Sequence, residues 1–205
     1  MIMKNALLDA FYFRHACKLF DDSRKIPQSD LDFILEAGRL SPSSMGLEHW
    51  KFIVVQSPQL KVKLRHACSD QPQISSSSDV IVILAKISDL QPDSAYVIAQ
   101  FSRLNLPPDK TEEFHQFYRE FVQNRDLTDW SVAQCHIAAA NMMTAAAAIG
   151  IDSCPIGAFG TDQVRHILQI DHNQYEVALV LPIGYRKHPQ PAKHRLAFSD
   201  LIEFR

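Results

Sequence analysis

Glycine is scarce in this 205-residue chain: Gly38, Gly46, Gly150, Gly157, Gly160 and Gly184 are all there are, and neither G-x-G-x-x-G nor G-x-x-x-x-G-K-[ST] can be written anywhere. A Rossmann fingerprint and a P-loop are therefore excluded, because both need clustered glycines for the backbone to approach a phosphate. H-E-x-x-H and G-x-S-x-G are also missing, which removes the best-marked zinc protease and α/β-hydrolase readings. Cys17, Cys68, Cys135 and Cys154 form no C-x-x-C and have no histidine at zinc-finger spacing. They read as reduced cytosolic thiols, and no metal site is expected. Charge of one sign is lacking too: 21 Lys and Arg against 23 Asp and Glu leave a net charge of -2. That offers no general field for nucleic acid or an anionic membrane, although a local basic cluster could hold one small anion. A long hydrophobic run is also absent. Ile137 to Ile149 is mostly alanine, interrupted by Asn141 and Thr144, and falls short of the roughly 18 apolar residues of a spanning helix. Met1 to Phe20 carries Asp9, Arg14, His15 and Lys18 in place of an unbroken apolar core, so no export signal is read and a soluble, cytoplasmic protein is expected.

What is present is a chain that is 46% hydrophobic, long enough to bury a sizeable core. With no internal repeat and no dividing linker, one domain over 1–205 is expected. Apolar spacing predicts helices over Asn5 to Phe13, over Leu31 to Gly38 after Pro27-Gln28-Ser29-Asp30, and over Pro58 to Ala67, Ser94 to Leu104 and Lys110 to Gln123. Phe114, Phe117, Tyr118 and Phe121 make an aromatic stripe that reads as core or dimer contact. A long alanine-rich helix should run from a cap at Asp129 to Ile149, with Gly150 as its stop, and its small residues suit a central position. Thr161 opens another helix. Trp50 to Val55, Asp79 to Ala85 and Tyr175 to Leu181 are β-branched and aromatic and read as strands. Ser75 to Ser78 reads as a polar lead-in to the second strand, without chemistry. Leu196 to Phe204 has apolar residues with no evident partner, which suggests docking elsewhere, on a second subunit.

Two basic pairs remain. Arg14 and Lys18 share a face if helical, and Lys193 and Arg195 share one if extended. Each could grip a phosphate, for which Arg forks and the hydroxyls of Ser41-Pro42-Ser43-Ser44 are suited. Two solvated surface pairs are the simpler alternative.

Arg14-His15-x-x-Lys18, Ile26-Pro27, and Leu40-Ser41-Pro42-Ser43-Ser44 leading to Trp50-Lys51-Phe52-Ile53-Val54-Val55, in this order and spacing, resemble the N-terminal blocks of the FMN-dependent nitroreductase family. Asp70-Gln71-Pro72-Gln73, Gln134, Gly150 followed by Cys154-Pro155-Ile156-Gly157-Ala158-Phe159, and Lys193-x-Arg195 after Pro182-Ile183-Gly184 resemble its later blocks. The resemblance implies an α+β fold, a three-layer α/β/α sandwich with a mainly antiparallel central sheet, in an intertwined homodimer holding FMN at its interface. It makes Arg14, Lys18, Lys193 and Arg195 phosphate and ribityl contacts, with His15, Ala16 and Gln134 also among the cofactor-binding residues. Ser43 and Ser44 would reach the flavin from the partner subunit, and Gln134 lies in a matching block. Asp70 and Gln73 would sit at the ring edge, with Pro155, Ile156, Gly157 and Ala158 against the ring.

The implied activity is ping-pong two-electron transfer, from NADH or NADPH to a flat electron acceptor such as a nitroaromatic, a quinone or another flavin. The cofactor carries the chemistry, so no catalytic acid-base residues are expected. Ala16, Gly46, Glu48-His49, Asp70 and Gly157-Ala158 depart from the family pattern and bear on substrate preference. An ionised Asp70 can accept from a flavin N–H but cannot donate to a carbonyl. A flavin-binding store or sensor with little turnover is the alternative. A cysteine nucleophile, Cys154 or Cys135 beside His136 or His166, is a weaker one, and the neighbours Cys135 and His136 cannot form the pair because they point about 100 degrees apart on a helix.

Overall fold

The computed structural model describes residues 4–205, so Met1 to Met3 of the N-terminal segment considered above lie outside the described residues. A four-stranded, fully antiparallel sheet forms the middle layer, in the order β1, β2, β4, β3. The strands are β1 (Trp50–Val55), β2 (Asp79–Lys86), β3 (Asp152–Ser153) and β4 (Tyr175–Gly184). Side chains alternate across β2. Ile81, Ile83 and Ala85 join one buried cluster, while Val80, Val82 and Leu84 join a second. With both faces covered, the central strands carry no polar face and read as continuous apolar runs.

Among the described residues four helices precede the second strand. They are α1 (Lys4–Phe13), α2 (Gln28–Arg39) and α3 (Pro58–Ala67), followed by the short α4 (Pro72–Ser76). After it come α5 (Ala95–Ser102), α6 (Pro108–Gln123), α7 (Leu127–Ala148), α8 (Thr161–Leu168) and a last turn, α9 (Phe198–Leu201). The long α7 packs on β2 and β4 and against α1 and α2. α3, α4 and α8 supply Leu64, Ile74 and Val164 to the cluster on the other face. The layers are thus helix, sheet and helix, as expected.

The centrality of α7 has a steric cause. Its buried face is Ser131, Cys135, Ala138, Ala139, Met142, Ala146 and Ala147, small enough for backbones to come close. At Gly38 of α2 even a methyl group would lie 2.3 Å from the Met142 Cε. The helix starts earlier than expected. Asp126 is the cap, its carboxylate accepting from the Asp129 N–H at 2.9 Å, so Asp129 lies within the first turn. Gly150, at φ +77, stops the helix as expected.

Three further expectations are corrected. β4 continues through Pro182 to Gly184, because the Pro182 carbonyl accepts from the Cys154 N–H at 3.1 Å. The proline's missing donor therefore faces the two-residue β3 rather than the ladder with β2. α1 ends at Phe13, and Ala16 forms a parallel bridge with Ser153, so Arg14 and Lys18 belong to an extended segment instead of a helical face. Ser75 and Ser76 are helical, and the serine run does more than lead into a strand. Ser76 Oγ accepts from the Phe20 N–H, Ser78 Oγ from the Ile26 N–H, and the buried Lys61 ammonium donates to the Ser77 and Ser78 carbonyls at 2.7 and 3.0 Å. Those bonds fasten the irregular chain between α1 and α2 to the sheet. Of the aromatic stripe, Tyr118 is buried and donates to the Leu90 carbonyl at 2.6 Å, while Phe117 stays exposed. Among the described residues no helix is long and apolar enough to cross a membrane.

Candidate functional site

Four cations converge where the two ends of the chain meet. The segment after α1 carries Arg14 and Lys18, and the irregular chain after β4 carries Lys193 and Arg195. The Lys193 ammonium donates to the Arg14 carbonyl. Its pKa is held below the ordinary lysine value first by desolvation and then by the neighbouring charges of Arg14 and Arg195. None of these four side chains has a carboxylate within 4 Å among the described residues, although acidic residues outnumber basic ones in the chain. Like charges gathered without counter-ions repel, and an anion the size of a phosphate would relieve that repulsion through charge-assisted hydrogen bonds.

Lys18 extends this cluster toward a polar row. Its ammonium lies 3.9 Å from Cys154 Sγ, which also takes the Gln73 amide at 3.8 Å. Gln73 donates to Gln71 at 2.8 Å, and Gln71 donates to the Ala158 carbonyl at 3.4 Å. Lys18, Gln73 and the 155–158 strip thus come together, though Gln73 itself is buried. In that strip Ile156 turns its side chain into the core and bridges Val180 through its backbone, whereas Gly157 and Ala158 are exposed. The strip can present only backbone and small groups to a flat ligand.

The structure gives other expected residues different tasks. The His15 ring lies 3.5 Å from the buried carboxylate of Asp152 and 3.4 Å from the Phe13 carbonyl, and burial lowers its pKa. Its side chain points inward, leaving backbone as the available part, whereas Ala16 is exposed and its backbone bridges Ser153. Asp70, in the left-handed region at φ +53, pairs with His66 at 2.7 Å. Its partner is a histidine on α3 and not Lys18, and its carboxylate is 67% exposed. Gln134 accepts from the Ser44 N–H at 2.9 Å, and Ser43 Oγ from the Glu48 N–H at 2.9 Å. Between them Met45 and Glu48 have positive φ, a strain that persists only where neighbours hold it. Tyr96 and Lys86 add that hold, donating to the Leu47 and Glu48 carbonyls. Within the chain no hydrogen bond or ion pair among the described residues joins the Ser43–Ser44 loop to the four cations.

Asp152, Arg186 and Gln190, outside the blocks quoted above, also take part in this region, as do Cys154 and Gln71 within them. Asp152, an acidic residue between the apolar Ile151 and the Ser153-Cys154 pair, was the legible signal. The cysteine-nucleophile alternative finds no support. All four cysteines are buried, and burial pushes the Cys135 thiol up to about 12 and the Cys154 thiol upward despite Lys18. A concavity of about 950 Å³ lies elsewhere, between α3 and α8. Its Arg165 is already paired with Glu176 at 2.6 Å and Asp162 at 3.2 Å, so its charge is compensated within the fold.

Beside the strained loop, His49 is fully buried with its ring edge-on to Trp130 at 4.5 Å. Burial pushes its pKa down to about 4, a backbone contact with Ser44 opposing and the Lys86 charge adding to the effect. The unfolded chain takes up the proton near pH 6.5 while the fold refuses it until about pH 4. This contribution to stability is therefore complete above pH 6.5 and lost progressively as pH falls toward 4, by roughly 3 kcal/mol at 1.36 kcal/mol per pH unit. Melting temperatures of the parent and His49→Phe between pH 7 and 4.5 should show a flatter acid limb for the variant. Parallel limbs would show that His49 does not carry this dependence.

A family model, Nitroreductase family, matches residues 12–185. Among curated proteins, "Putative NAD(P)H nitroreductase YfkO" of Bacillus subtilis (strain 168) is 39% identical over 217 residues, covering 98% of each chain. A Staphylococcus haemolyticus protein of the same description is also 39% identical, again over 98% of each. Among solved structures, a nitroreductase-like protein from Streptococcus mutans superposes with a TM-score of 0.86 at 20% identity, covering 98% of this chain and 99% of its own. One from Exiguobacterium sibiricum, in complex with FMN, gives 0.81 at 22% identity and covers 97% of both. The chain belongs to the nitroreductase family.

Proposed function

We propose that the chain is an FMN-dependent NAD(P)H oxidoreductase, one FMN-binding domain acting as a homodimer. The observation that carries this reading is the cluster of Arg14, Lys18, Lys193 and Arg195, four cations without a carboxylate partner among the described residues, beside the small exposed residues Gly157 and Ala158. The naming of relatives at 39% identity as NAD(P)H nitroreductases and the FMN held by a protein of the same fold support it.

The residues fit the cofactor part by part. Arg14, Lys193 and Arg195 hold the phosphate, and Lys18 reaches the ribityl chain. Gln73 and Asp70 lie toward the ring edge, Gln73 tied to Cys154 and Gln71, Asp70 drawn aside by His66. Pro155, Gly157 and Ala158 face the ring, Ile156 anchors the strip through its backbone bonds to Val180, and without a bulky side chain at 157 or 158 the strip leaves room for a second flat molecule. Ser43 and Ser44, braced by Gln134, serve the site of the partner subunit, which accounts for their separation from the cations of their own chain. The exposed apolar residues of the tail, Leu196, Phe198, Leu201, Ile202 and Phe204, cover the partner. When bound, FMN would supply two-electron redox chemistry between a reduced nicotinamide and an acceptor such as a nitroaromatic, a quinone or another flavin. The protein binds, orients and stacks, and no side chain is assigned as acid or base.

The purified protein should be yellow, should bleach with NADH or NADPH, and should turn over steadily with a quinone acceptor. A colourless protein that takes up no FMN defeats the reading. Bleaching without turnover would instead favour a flavin-binding store or sensor.

A further inference from the structure

We propose that Asp152, Arg186 and Gln190 form a positioning joint that sets the two halves of the phosphate site against each other; this rests on the FMN reading above. Residues 187–197 have neither helix nor strand, yet Lys193 and Arg195 must be aimed at the same point as Arg14. Chain without regular structure holds a direction only where side chains tie it down.

The tie begins on the sheet. Asp152 is fixed by the pairing of β3 with Gly184 of β4, and its side chain is 2% exposed. Its carboxylate accepts from the Arg186 N–H and from Arg186 Nε, both at 3.0 Å, and lies 2.8 Å from Nη2. The guanidinium then donates through Nη1 to Gln190 at 3.0 Å and sits over the Phe13 ring at 4.1 Å. Gln190 donates to the Tyr12 carbonyl at 2.8 Å. The path from sheet to Arg186 to Gln190 thus ends on the last turn of α1, immediately before Arg14. Three residues beyond Gln190, Lys193 closes onto the Arg14 carbonyl. His15 packs 3.5 Å from the same carboxylate, which keeps the N-terminal half in register. None of the three is placed against the phosphate, so they position the residues that are.

Two effects oppose each other at Asp152. A carboxylate near four cations weakens their hold on an anion, so neutralising it should tighten binding. Against this, a buried pair that loses one partner leaves the other uncompensated and free to reorient. The second effect prevails here. Paired with Arg186, the carboxylate presents a dipole rather than a net charge, and its distant field is small. Gln190 carries no charge, so its replacement isolates the geometric effect.

The test compares FMN and riboflavin, which differ by the phosphate, in the full chain and in Gln190→Ala and Asp152→Asn. Dissociation constants come from quenching of flavin fluorescence, with melting of the flavin-free protein as the check on folding. Loss of the joint should weaken FMN by about tenfold, the worth of one hydrogen bond to a charged group. Riboflavin should be nearly unchanged, and the FMN preference should fall in both variants. Equal losses for both ligands would mark a merely structural role, and an unchanged preference or tighter FMN binding by Asp152→Asn would likewise overturn the proposal. If Asp152→Asn does not fold, Gln190→Ala, neutral and partly exposed, decides alone. A parent that does not prefer FMN to riboflavin overturns the phosphate reading itself, and shows this before any substitution is compared.

Discussion

Replacing Arg14 or Arg195 by alanine is expected to weaken FMN binding by about 1.5 to 3 kcal/mol, roughly 10- to 150-fold, the loss of a charged hydrogen bond to phosphate. Both guanidiniums lack a carboxylate partner within 4 Å among the described residues, and their charge acts on Lys193. Removing one leaves no internal counter-ion unpaired. The cost of substitution should therefore fall on the ligand and not on the fold, with the melting temperature of the flavin-free chain little changed. Riboflavin should bind to both variants as to the parent. Titration of the two ligands checks this, and variants that bind FMN like the parent would place the phosphate elsewhere.

The second large effect concerns assembly. Removing residues 196–205 should convert the proposed dimer to single chains of about half the parent's mass and abolish FMN binding. Phe204, Leu196, Phe198 and Leu201 are 85%, 67%, 67% and 66% exposed. Burying each such side chain against a second copy is worth about 1.5 to 3 kcal/mol at most. The four together reach the order of ten kcal/mol before the cost of association, enough to decide whether a dimer forms. Because Ser43 and Ser44 would serve the partner's site, loss of the dimer and loss of flavin should coincide. Sedimentation with detection at the flavin absorbance tests both together. A truncated dimer that keeps its flavin would show that the tail is not the interface, and a folded, flavin-bound parent monomer would defeat the dimer itself.

Much of the architecture was legible because burial leaves a periodic trace. β2 reads as an unbroken apolar run since both its faces are covered, and α7 reads as central since its alanines permit close approach. The end of β4 was not legible. A proline ordinarily ends a central strand, and only the position of β3 shows that the missing N–H faces the rim. The serine run looked like a polar lead-in for a similar reason: which backbone groups its hydroxyls and Lys61 satisfy depends on where the chain between α1 and α2 lies.

At the site, residue types and spacing by themselves determined that Arg14, Lys18, Lys193 and Arg195 are two basic pairs fit for an anion, since guanidinium and ammonium chemistry travels with the residue. That the pairs, almost 180 residues apart, meet at one point was decided by the tertiary structure, through the sheet that fixes Asp152 and the contacts from Arg186 and Gln190 to the end of α1. Orientation was decided there too. His15 turns inward to Asp152 and Asp70 turns to His66, because a side chain's direction follows the charges and free volume packed around it, which are set by residues distant in the chain.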